Sequence, residues 1–140
     1  MGSKNNEPSI RFKEFNDAWE QRKLKEIGNI ITGSTPSTLN DEYYSNDGMK
    51  WVTPTDIDSN IVQDTAKKLS NKGVEVARVV PENTILVTCI ASIGKNAIAL
   101  EKLSFNQQIN SLTPNKEYNP YFLLTESFLW SNNMKKMGAS

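Results

Sequence analysis

Between Thr84 and Ile90 the chain reads TILVTCI, almost wholly apolar or β-branched, directly after a Pro-Glu-Asn turn signal. A run of this length and chemistry, bounded by turn residues, predicts a core strand. "IGKNAIAL" and "NQQINSLTP" follow as two further strands joined by an "EKLSF" connection, and "GMKWVTP" predicts a strand around Trp51 and Val52 that Pro54 ends. Thr55 is placed to cap a turn through Ile57, and "SNKGVEVA" reads as a short helix led by Ser70 or Asn71. Upstream, "IRFKEF" (10–15) alternates apolar and charged residues like a short strand, Asn16 or Asp17 offers a helix cap, and Gly28 interrupts before the β-branched Ile30 to Thr32. At the other end Asn119 as cap, Pro120 at the first helical position and the spacing of Tyr121, Leu124 and Phe128 predict a helix. Strands followed by a terminal helix make the class α+β, with a mostly antiparallel sheet core and long ordered loops.

A chain of 140 residues fits one domain. Residues 1–9 read as a flexible lead and 10–140 as the domain. With 37% hydrophobic and 23% charged residues it resembles ordinary soluble domains, and without an apolar run near the roughly 18 residues of a spanning helix no membrane partner is expected. The polar start lacks a signal-peptide core, so the expected location is cytoplasmic. Cys89 sits among apolar neighbours and reads as a buried strand thiol, not a nucleophile. The absence of histidine removes the usual general base and any His/Cys zinc site. Sixteen basic and sixteen acidic residues give zero net charge, without the basic excess usual in nucleic-acid modules. Basic residues do cluster, at Arg22 to Lys25, at Lys67, Lys68 and Lys72, and at Lys135 and Lys136; for each cluster alone a solvated face is the simpler reading.

The stretch from Ile31 to Ile57 is rich in hydroxyls and aromatics and poor in aliphatic residues. Hydroxyl side chains bond their own backbone, so Gly33 to Pro36 predicts a loop held in one shape. "SIGK" (92–95) is too short for a phosphate-binding P-loop and is followed by Asn96 instead of Ser or Thr; a turn at Gly94 is the simpler reading, with Lys95 free to meet a phosphate. "FNQQIN" gathers four amides, suited either to reading adenine or to satisfying buried backbone groups. Asp41, Glu42, Asp56 and Asp58 lack recognisable metal-ligand spacing. From the residues alone, the chain is a binding module with a shaped polar loop.

The order of four segments adds a family. "RFKEFNDAWEQRKLKEIGNIITGSTPST", "EYYSNDGMKWVTPTDI", "VVPENTILVTCIASIGKNAIA" and "FNQQINSLTP" together resemble the target recognition domain of type I restriction-modification specificity subunits, from about Arg11 to the C-terminus. The resemblance implies a non-catalytic chain that reads one half of a bipartite site in duplex DNA. Its expected partners are the methyltransferase subunit and, through it, the restriction subunit. No cofactor is expected in this chain; S-adenosylmethionine, ATP and Mg would belong to those partners. Such subunits usually carry two recognition domains and long spacer helices, which this sequence is expected to lack. A single domain leaves open a fragment, a natural truncated subunit, or an inhibitor or regulator that meets a protein partner, which zero net charge would suit.

The implied DNA contacts are Ser34, Thr35, Ser37, Lys50, Thr53, Thr55, Lys67, Lys68, Ser92, Lys95, Asn106 and Gln107. Family members read different sequences, so shared motif residues (Gly33, Thr35, Pro36, Trp51, Pro54, Asp56, Gly94, Lys95, Asn106 to Gln108) are expected to shape loops or hold backbone. Base readers then fall in Asn40 to Lys50 and Asp58 to Lys72. Where the family often has Gly-Gly-Thr-Pro, this chain carries Ser34 in second place.

Overall fold

The computed structural model describes residues 23–88 and 95–127. The expected strand at 10–15 and the readings of Cys89, Ser92, Gly94 and Phe128 onward lie outside the described residues.

Among the described residues, eight strands form two four-stranded sheets. In the first, β1 (Gly28–Thr32), β8 (Ile109–Pro114), β5 (Ile85–Thr88) and β6 (Asn96–Ile98) pair antiparallel in the order β1-β8-β5-β6. The second has the order β3-β2-β7-β4, built from β2 (Tyr44–Val52), β3 (Lys67–Leu69), β4 (Val79–Val80) and β7 (Leu103–Phe105). Here β2 and β7 run parallel while the outer pairings are antiparallel. The α+β class and the mostly antiparallel core agree with expectation, and the core is built from two sheets.

β5 explains the layering. Its side chains alternate between faces, and all four residues are buried. Ile85 and Val87 join Leu24 and Ile27 of a helical segment (23–27, α1) and Leu123 and Leu124 of the terminal helix (120–127, α3). Leu86 points the other way, into a core with Val52, Leu103 and Phe105 of the second sheet. The first sheet is therefore the middle layer, with helices on one face and the second sheet on the other. Each fully buried aliphatic of this kind contributes about 1.5–3 kcal/mol.

Several local readings change. "EKLSF" is not merely a connection, because Leu103–Phe105 is the buried strand β7 beside β2. The turn after β2 is capped by Thr53, not Thr55, with Pro54 at its first position. Gly28 begins β1 instead of only interrupting a helix. Tyr121 is exposed on α3, and its buried face is Leu123, Leu124 and Ser127. Other signals hold as read. Ser70 caps the short helix α2 (Asn71–Glu75), accepting from Gly73 N–H at 3.2 Å. Asn119 Oδ1 accepts from Tyr121 N–H at 2.8 Å and Phe122 N–H at 3.2 Å. In the Pro-Glu-Asn turn, Asn83 takes φ 69°, alone among the described non-glycine residues in having positive φ. Ser34 therefore stands in the second place of the loop motif without left-handed backbone. No helix among the described residues is long and apolar enough to cross a membrane.

Candidate nucleic-acid interface

The polar loop leaves β1 at Thr32 and is fixed before it reaches β2. Gly33 N–H donates to Ile109 O at 3.1 Å and Ser34 N–H to Phe105 O at 3.0 Å, so the loop begins stitched to the β7–β8 turn. A Cβ on Gly33 would overlap the carbonyls of Asn106 and Phe105, which is why only glycine fits there. Two aromatics from β2 hold the next residues. The Trp51 indole N–H donates to Ser34 O at 3.1 Å, and the Tyr44 hydroxyl donates to Pro36 O. Their rings meet edge to face, 6.4 Å between centroids. The loop ends in a short 3-10 turn, Asp41–Tyr43, capped by Asn40, whose side chain accepts from Glu42 N–H at 3.0 Å.

A second fixed loop follows β2. Asp56 Oδ2 accepts from Thr53 N–H at 2.8 Å and from the Thr53 hydroxyl at 3.0 Å, and its Oδ1 accepts from Ala66 N–H at 3.0 Å. This carboxylate ties the turn after Val52 to the entry of β3. Among the described residues no group of three or more His, Cys, Asp or Glu could hold a metal ion.

The expected contact residues divide by what already holds them. Thr35 is exposed and donates to Gln107 Oε1, bringing the polar loop and the exposed tip of the β7–β8 turn together. Ser37 lies on the same exposed loop, accepting from Leu39 N–H at 3.3 Å. The Ser34 hydroxyl is buried without a hydrogen-bond partner among the described residues. Thr53 and exposed Thr55 share a bond at 2.9 Å. Asn106 is buried, its Oδ1 accepting from Gln108 N–H at 3.0 Å, so this amide shapes its turn. Lys50 pairs with Glu101 at 2.6 Å and donates to Gln63 O; Lys68 pairs with Asp64 at 3.0 Å. The bond from Lys68 is the main reason the Asp64 carboxyl sits below its ordinary range. Lys67 is exposed, makes no ion pair among the described residues, and lies 5.7 Å from the Tyr44 ring centroid as a cation–π contact. Lys95 reaches Pro54 O at 3.4 Å, so it flanks the turn after β2. Ser92 lies outside the described residues.

Between the polar loop and the β2–β3 pair runs an open groove of about 280 Å³, whose lining includes Thr38, Asp41, Tyr44, Asn46, Lys67 and Lys68. Parts of the two stretches expected to read bases, around Tyr44–Lys50 and Lys67–Leu69, thus share one surface because β2 and β3 pair, whereas residues 58–60 lie beside Lys95. The sequence reading missed Tyr44 as a clamp. An aromatic at the start of a strand, eight residues after a proline, was its only trace.

The comparisons fit this geometry. A family model described as type I restriction modification DNA specificity domain matches residues 16–140. The MjaIX specificity subunit of Methanocaldococcus jannaschii is 34% identical over 124 residues, covering 78% of this chain and 27% of the relative. The HindI specificity subunit of Haemophilus influenzae is 33% identical over 108 residues, covering 75% and 23%. The chain thus spans about a quarter of the length of these relatives. In fold it is similar to the HsdS subunit from Thermoanaerobacter tengcongensis, with TM-score 0.59, 17% identity, and coverage of 81% of this chain and 28% of that one. By sequence, the chain belongs to the type I restriction modification DNA specificity domains.

Proposed function

We propose that this chain works as the target recognition module of a type I specificity subunit, reading one half of a bipartite duplex site for partner methyltransferase and restriction subunits. The observation that carries the reading is the polar loop of residues 33–43, made rigid by Trp51 and Tyr44 and set beside a polar groove. A surface of exposed hydroxyls and amides with Lys67, which makes no ion pair among the described residues, suits contact to phosphate, sugar and base edges. Thr35, Ser37, Thr53, Thr55, Ser92, Lys95 and Gln107 fall to DNA-backbone positioning in this account, while the Ser34 hydroxyl is buried and withdrawn from that role. Lys50 and Lys68 would have to exchange their carboxylate partners for phosphate.

The module itself performs no chemistry in this reading. Its sequence offers no histidine for acid-base work, and S-adenosylmethionine, ATP and Mg belong to the partner subunits. A cytoplasmic location goes with a DNA-directed role. A half-site offers few contacts and the net charge is zero, so the module alone binds duplex DNA weakly, and partner contacts raise the effective concentration. The test is to mix the chain with the methyltransferase subunit of its own system and a randomised duplex pool. Sequence-selective retention that needs both proteins supports the reading; strong binding to another protein, with no DNA retained, overturns it.

A further inference from the structure

The pairing of β2 with β3 contains one irregularity of register. Tyr44 and Met49 both stand opposite Leu69, so Ser45–Gly48 bulge out of β2 as a four-residue arch. The arch is fixed at both ends. Ser70 N–H donates to Tyr43 O at 2.9 Å before it, and after it Gly48 packs so closely on Leu69 O that a Cβ there would overlap the carbonyl. Inside the arch the Ser45 hydroxyl donates to Asp47 Oδ1 at 2.6 Å. Asn46 and Asp47 at its crest are exposed, and the Asn46 amide makes no hydrogen bond among the described residues.

We propose, resting on the DNA-reading function above, that this arch is the base-reading element of the domain and that Asn46 and Asp47 are its specificity-determining residues. A two-stranded ribbon fits the major groove, and β2–β3 is such a ribbon at the edge of the second sheet. An unengaged amide presents a donor and an acceptor together, the pattern that matches adenine N6 and N7. A carboxylate is repelled by phosphate and is tolerated in a groove only opposite a donor, for which the N4 amino group of cytosine is the usual partner. The bond from Ser45 holds the Asp47 carboxyl below its ordinary value, so it stays an acceptor throughout the physiological range. Of the neighbouring polar groups, Lys50 and Lys68 are committed to carboxylates and Asp56 to backbone, while Lys67 lies over the Tyr44 ring in the same groove as Asn46. Asn46 and Asp47 carry no such duty beyond the Ser45 bond.

The experiment is selection and sequencing of randomised duplexes by the full chain with its methyltransferase subunit, for wild type, Asn46→Ala and Asp47→Asn. Both side chains are exposed, so thermal melts should match wild type and confirm folding. Asn46→Ala is expected to lower the preference for adenine at one position by about 5- to 150-fold. Asp47→Asn should relax a cytosine preference at another position while raising affinity for unselected duplex. Wild-type base preferences retained in both variants would overturn the inference and leave DNA reading intact. Failure of the wild-type pair to retain any duplex would instead overturn the DNA-reading function, and this inference with it.

Discussion

The indole N–H of Trp51 lies 3.1 Å from the carbonyl oxygen of Ser34, joining the buried end of β2 to a loop seventeen positions earlier. That bond converts a polar, irregular segment into a surface of fixed shape. Ser34 also donates its N–H to Phe105 O, so its peptide groups are held from two sides.

Replacing Trp51 with Phe keeps a ring in the core and removes the donor. The expected cost is about 0.5–1.5 kcal/mol for one hydrogen bond, plus a smaller packing loss. Urea midpoints measure the cost, and limited proteolysis should cut the 33–40 loop faster in the variant. An unchanged cleavage rate would mean the loop is held without the indole.

Tyr44 supplies a pH dependence. Burial raises its pKa above the ordinary 10.0, and only the protonated phenol can donate to Pro36 O. A raised folded value means the stabilisation is complete below pH 10 and is lost as pH climbs through that raised value. Phenolate absorbance should therefore show part of the signal from the four tyrosines titrating late, and Tyr44→Phe should abolish the late fraction. A titration identical in the variant would contradict the clamp.

Lys95 tests the division between positioning and reading. It flanks the turn after β2, 3.4 Å from Pro54 O, beside Ile57–Asn60. Lys95→Ala should weaken DNA binding similarly for all sequences and flatten the salt slope by about one unit or less. A changed sequence preference would make Lys95 a base reader.

Much of this was legible in the sequence where the signal is local. The run at Thr84 marked β5, and Ser70 and Asn119 marked their helices, because capping and turn chemistry act within a few residues. β7 was not legible: three residues buried on a parallel neighbour show no alternation, and their pairing with β2 is decided some fifty positions away. The misplaced cap at Thr55 had a readable correction, since proline favours the first helical position and so assigns the cap to Thr53. For the site, residue type named candidates, but only the fold separated Asn106, consumed inside a turn, from Gln107, exposed at its tip. The arch at Ser45–Gly48 was hidden because a bulge is defined by the partner strand.

Anisotropy of a labelled duplex titrated with the chain across a series of salt concentrations bears most directly on DNA recognition. The account predicts weak but measurable binding at low salt, falling linearly on a logarithmic scale with a slope of roughly −2 to −4, as two to four released counterions require. No binding at the lowest salt, or binding that salt leaves unchanged, would contradict it.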